Sequence, residues 1–210
     1  MSKSVYSIVL TDEVVAKIDR MAYSLSTSRS NMINRILAEY VSYTTPEQQM
    51  REVFSRVEDM LTGADTFKIL LQPSDSMMSL RSALSYKYNP TIRYSVELYP
   101  AGEETIGELR VSLRSQNSAL LLCLDSFFRV WVKTEARCGI QPSFSIERGK
   151  YTRKLILPGS SRISSEEQGE MIAEYIRTLD TAMKLYFANI SSPEAAALEV
   201  ERVYLKYIKK

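Results

Sequence analysis

The chain has 210 residues, a formal net charge of +2, 45% hydrophobic and 25% charged side chains, which suits one large domain or two unequal ones with an ordinary apolar core. The near-neutral balance excludes a uniformly basic nucleic-acid coat, and the absence of histidine removes Ser-His-Asp, Cys-His and His-ligated zinc chemistry together. Cys123 and Cys138 form no Cys-x-x-Cys pair, no signal-like N-terminus is visible, and no apolar run approaches the ~20 residues of a bilayer span, so a cytoplasmic protein with reduced thiols is expected.

The first element is a strand over Val5–Leu10, with Tyr6, Ile8 and Leu10 on one face and Val5, Ser7 and Val9 on the other. Thr11, Asp12 and Glu13 supply a capping hydroxyl and first-turn acids for a helix whose apolar stripe is Val14, Ile18, Met21, Ala22 and Leu25. The stretch STSRS, residues 26–30, breaks it and starts a second helix capped by Ser28, with Met32, Ile33, Ile36, Leu37, Tyr40 and Val41 as its stripe. Thr45, Pro46 and Gln48 open a third helix ending near Leu61, before Thr62 and Gly63.

Beyond Gly63 the texture changes to alternating strands, predicted over Phe67–Leu71, Leu80–Tyr88, Ile92–Tyr99 and Glu108–Arg114, with turns at NPT and PAGEET. Ala119–Ala136 reads as a helix, although its apolar content also fits a buried strand; Cys123 there reads as a small core residue. Strands Ser143–Arg148 and Tyr151–Leu157 meet at a tight turn around Gly149 and Lys150. Ser164 or Ser165 caps a long helix to about Asn189, and Pro193 opens a last one whose stripe, Val200, Val203 and Tyr207, is expected to exceed what one subunit covers. The fold class is therefore α+β, with 1–45 as a first domain, 46–63 as a connecting helix, and 64–210 as an α+β sensing or oligomerisation domain with a largely antiparallel sheet and C-terminal helices.

One strand cannot form a sheet alone, and two short helices cannot bury their apolar stripes against each other. A second copy resolves both problems: antiparallel strands around a twofold axis bury Tyr6, Ile8 and Leu10 over four interlocked helices that contribute Ile33 and Leu37 to the dimer core.

The order LTDEVVxxIDRMA followed by SRSxMINxILxEY, within residues 4–43, resembles the ribbon-helix-helix family, the MetJ/Arc/CopG-like regulators. That resemblance implies an intermolecular β-ribbon in the major groove of double-stranded DNA, with Val5, Ser7 and Val9 facing bases and Ser28, Arg29 and Ser30 gripping phosphate. A helix start offers unpaired N–H groups and a positive dipole end, which suits the phosphate role independently. It further implies a homodimeric transcriptional regulator, with higher assembly on DNA, no catalytic residues, no metal, no cofactor and no membrane partner; the effector is unknown. Residues 1–45 balance Lys3, Lys17, Arg20, Arg29 and Arg35 against Asp12, Glu13, Asp19 and Glu39, so charge adds little to this implication.

The alternative is an accessory or scaffold protein that assembles through the same dimer and binds single-stranded nucleic acid or a protein through its C-terminal domain. Alternation places Arg81 and Lys87 on one strand face and sets Arg93, Arg110 and Arg114 opposite apolar faces, a pattern compatible with a phosphate-binding surface or, more simply, with a solvated sheet face near Glu97, Glu103, Glu104 and Glu108. An enzyme is not expected: Asp125, Glu135 and Glu147 share no spacing that pairs an acid with a base.

Overall fold

The structure, a computed structural model, describes residues 6–41, 43–63, 66–70, 74–99, 105–141, 143–157 and 163–209. The chain divides into two units, Met1–Gln49 and Met50–Lys210.

In the smaller unit α1 (Asp12–Ser24) and α2 (Arg29–Tyr40) form a helix pair. Asp12 and Glu13 occupy the first turn of α1, where the helix dipole favours them. The expected Thr11 cap is corrected: its carbonyl accepts the Val15 N–H at 3.0 Å, but its hydroxyl makes no capping bond. Helix α1 closes in a Schellman arrangement, with Thr27 N–H on Ala22 O at 2.9 Å and Ser26 N–H on Tyr23 O at 3.1 Å. That geometry holds Ser26 at φ 50°, the left-handed region that glycine occupies most easily. Ser28 then caps α2 by accepting the Asn31 N–H at 3.2 Å. The buried apolar core between the helices is small: Ile18, Ala22 and Met32, with Ile33 and Ile36 partly buried against them.

The strand expected over Val5–Leu10 is not formed within this chain. Val5 lies outside the described residues, and Tyr6–Leu10 join no ladder, so the first regular element is a helix. A lone extended segment lacks a ladder for its N–H and C=O groups, and among the described residues no other segment pairs with this one.

Helix α3 (Pro46–Thr62) begins with a reciprocal capping box: Thr45 Oγ1 accepts Gln48 N–H at 3.2 Å, and Gln48 Oε1 accepts Thr45 N–H at 2.8 Å. Its later turns are more than a connector, because Val53, Phe54, Val57 and Leu61 are buried in the core of the larger unit.

The larger unit contains a six-stranded antiparallel sheet in the order β1-β2-β3-β4-β6-β5. Its strands are β1 (Phe67–Ile69), β2 (Met77–Ala83), β3 (Thr91–Leu98), β4 (Thr105–Leu113), β5 (Phe144–Glu147) and β6 (Lys150–Ile156). Helices α4 (Ser118–Arg137), α5 (Ser165–Ala188) and α6 (Pro193–Ile208) complete the α+β architecture. Alternation puts Leu80, Tyr94, Val96, Leu109, Val111 and Tyr151 into one core with Phe127, Phe128 and Trp131 of α4. At roughly 1.5–3 kcal/mol for each large apolar side chain fully buried, that continuous core holds the unit together.

Several element bounds change from the sequence reading: β2 starts at Met77 and β4 at Thr105, each three residues earlier than expected. Strand β2 ends at Ala83 rather than Tyr88, because Leu84–Pro90 form a turn closed by Leu84 N–H on Pro90 O at 2.9 Å; the tyrosines there favour strands only where packing holds them. Strand β1 is shorter than expected, and Leu71 lies outside the described residues, as do residues 100–104, where a turn was expected, and residues 158–162. Ala119–Ala136 is a helix and not a strand, started by Asn117, whose side chain accepts the Leu120 N–H at 3.1 Å. Gly149 turns β5 into β6 at φ 71°, and Ser164 with Glu167 caps α5. Gly169 lets α5 approach α3: a Cβ there would lie 2.6 Å from Arg56 Cβ and 2.8 Å from Val53 O. The α6 stripe packs inward, since Val200 is fully buried and Val203 and Tyr207 are partly buried against the same core.

One ion pair is sealed inside this unit. Glu135 of α4 is fully buried and accepts from Arg153 Nη1 of β6 at 2.9 Å, while Tyr175 Oη of α5 donates to it at 3.3 Å and accepts from Trp131 Nε1 at 2.8 Å. The Arg153 guanidinium lies 4.2 Å from the centroid of the Tyr175 ring.

Candidate nucleic-acid interface

The residues expected to touch DNA lie in the smaller unit, at two places. Ser7 and Val9 sit on the extended segment before α1, both exposed, with Val9 fully so; Val5, their expected companion, lies outside the described residues. Ser28, Arg29 and Ser30 stand together at the start of α2 and all are exposed. The capping role of Ser28 satisfies one N–H, and the remaining first-turn N–H groups keep the positive end of the dipole facing outward.

Arg29 has a partner that the sequence pattern did not reveal. Its Nε and Nη2 donate to the two oxygens of Asp19, each at 2.6 Å, in a bidentate pair between the starts of α2 and the later turns of α1. The guanidinium holds the Asp19 carboxyl below its ordinary range, through the hydrogen bond first, and Asp19 in turn raises Arg29. The pair is solvent-exposed, so it orients the arginine in an environment where salt and a competing anion reach it. A guanidinium has five N–H donors, and a bidentate pair leaves others for a phosphate oxygen.

The residues expected to form a dimer core remain uncovered in one chain. Tyr6 is 84% exposed, Ile8 57%, Leu10 37% and Leu37 51%, and only Ile33 is partly buried against the small helix-pair core. Leu25, Tyr40 and Val41 are exposed as well.

The carboxylates weighed for acid-base work have structural partners. Asp125 accepts the Gly149 N–H at 3.0 Å, Glu147 lies 3.8 Å from Lys150 Nζ, and Glu135 faces Arg153. Among the described residues, no helix is long and apolar enough to cross a membrane. Compared with family models, curated proteins and solved structures, the chain has no match.

Proposed function

We propose that this protein is a dimeric DNA-binding transcriptional regulator whose paired N-terminal segments form a β-ribbon in the major groove. The observation that carries the reading is the uncovered apolar segment Tyr6, Ile8 and Leu10 preceding a helix pair whose packed core is only Ile18, Ala22 and Met32, with Ile33 and Ile36 partly buried against it. A twofold partner supplies the missing ladder and the missing cover at once, as expected for an isologous interface.

In that dimer Val5, Ser7 and Val9 project from the opposite face of the ribbon. Valine contacts a thymine methyl, whereas Ser7 supplies the hydrogen-bonding group. The α2 start, with Ser28, Arg29 and Ser30, positions the dimer on phosphate. Binding the full chain to a pool of random duplexes, with selection and sequencing, tests this. Enrichment of a short motif, and an altered motif for Ser7→Ala, is the expected result; a pool that stays random after repeated selection refutes it.

A further inference from the structure

The sheet of the larger unit has a face that carries no helix core, and its charges are arranged unevenly. Backbone register places Lys68 of β1 opposite Arg81 of β2, and Arg81 opposite Arg93 of β3. All three are exposed, and none joins an ion pair with another described residue; Arg93 donates to the neutral Ser79 hydroxyl at 3.2 Å. Like charges directly opposite on neighbouring strands, about 4.8 Å apart, destabilise the sheet that carries them. The contrast lies one row away on the same face, where Arg110 is held by Glu108 at 2.6 Å and Glu97 at 2.8 Å. In a chain with a net charge of only +2, an unneutralised cationic row is a local feature rather than a consequence of composition.

The β2–β3 connection extends from the same end of the sheet and holds a second anomaly. Tyr88 has φ 68° and is followed by Asn89 at φ 43°. A left-handed tyrosine carries a steric cost that packing ordinarily offsets, yet this ring is 89% exposed. The ammonium of Lys87 lies 5.4 Å from its centroid. A strained, exposed aromatic with a lysine over it, in the connection between two strands of the cationic row, supplies the parts by which a surface stacks a base and follows a phosphate chain.

We infer that the cationic row Lys68, Arg81 and Arg93, with the exposed ring of Tyr88, binds single-stranded nucleic acid. The row runs across three strands of an open sheet face, which suits a polymer of phosphates better than a small enclosed anion. Stacking on Tyr88 requires an unpaired base, and a flat sheet face does not enter a duplex groove as a helix or two-stranded ribbon does. This site lies in the other unit from the duplex reader and is independent of it.

The test is fluorescence anisotropy of the full chain with a labelled oligothymidylate of about 20 nucleotides, alongside a random-sequence duplex of equal length. The Arg81→Ala/Arg93→Ala double variant relieves a like-charge pair and so keeps its thermal stability. It should bind the single strand at least about tenfold more weakly, with its logarithmic salt slope flattened by about 1.4. Tyr88→Gly suits the left-handed backbone, so its melting temperature stays level or rises while single-strand affinity drops roughly five- to 150-fold; Tyr88→Phe keeps wild-type affinity. Duplex binding is unchanged in all three. Wild-type single-strand affinity in the double variant or in Tyr88→Gly overturns the inference, as do equal losses on the duplex or equal competition by polyglutamate. Ile8→Asp separates the two readings, because it removes duplex binding through the smaller unit and leaves single-strand binding in place.

Discussion

Replacing Arg29 tests the proposed grip of the smaller unit on DNA. A twofold dimer presents two copies of this side chain at two α2 starts, and each phosphate contact contributes about 0.9 to the slope of log affinity against log salt. Arg29→Ala should therefore flatten the slope by about 1.8, so that between about 50 and 200 mM salt wild-type affinity falls about tenfold further than that of the variant. The effect should be the same for every duplex sequence, because phosphate carries no base identity. Asp19 gives the opposite perturbation: both of its oxygens hold Arg29 at 2.6 Å, so Asp19→Ala frees two donors, removes a negative charge from the phosphate path, and should tighten binding. Quantitative gel shifts across a salt series read both variants. An unchanged slope for Arg29→Ala, or weaker binding for Asp19→Ala with the helix pair intact by circular dichroism, refutes the phosphate role of this helix start.

Three further outcomes follow from the structure. Arg153→Met strands the buried Glu135 carboxylate without its cation and should cost about 3–5 kcal/mol at pH 8 by denaturant unfolding, most of it recovered in Arg153→Met/Glu135→Gln; a loss under 1 kcal/mol contradicts the buried pair. Burial pushes the Glu135 carboxyl up to about 7, against the pull of Arg153 and Tyr175, from an ordinary value of 4.5. The folded state thus holds a proton that the unfolded state releases, so this group's contribution is fullest below about pH 4.5 and is lost as pH rises to about 7. Subtracting the Glu135→Gln profile from the wild-type profile should isolate that fall, and a difference that is flat or rises with pH is the contrary result. Ser26→Gly relieves a left-handed serine and should stabilise the smaller unit by about 1 kcal/mol, read as raised hydrogen-exchange protection in α1 and α2; unchanged or lower protection refutes the strain.

The helices were legible where local chemistry writes their ends. Ser28 and Thr45 with Gln48 are caps visible as sequence and present as hydrogen bonds, and of the two serines that could open α5 it is Ser164 that caps it, with Glu167 completing the box. The antiparallel sheet was readable from period-two alternation, as the β3 residues Ile92, Tyr94, Val96 and Leu98 illustrate by being buried in turn. What was not legible depends on contacts between segments distant in sequence. The Asp19–Arg29 pair, the Arg153–Glu135 pair and the burial of the α6 stripe all follow from how elements meet, not from spacing within one element. The end of β2 was misplaced for a related reason: Tyr86 and Tyr88 are strand-prone, but the chain must turn before Thr91, and the backbone of Tyr88 and Asn89 carries that turn. The N-terminal strand is a different case: Tyr6 to Leu10 join no ladder among the described residues, and the pairing we propose for them is between two copies of the chain.

Sedimentation equilibrium of the full chain at micromolar concentration decides whether two copies pair. A fragment ending at Thr62 would expose Val53, Phe54, Val57 and Leu61, so the intact 24.0 kDa chain is the right sample. Scaling about 1.5–3 kcal/mol per fully buried side chain by the exposures of Tyr6, Ile8 and Leu10 gives about 3–5 kcal/mol from the ribbon face of each protomer, before the helix contacts are added. Ile8→Asp places an unpaired charge in that seam. The wild type should sediment at twice the chain mass and Ile8→Asp at the single-chain mass; a wild-type protein that sediments as a folded monomer refutes the proposed dimer.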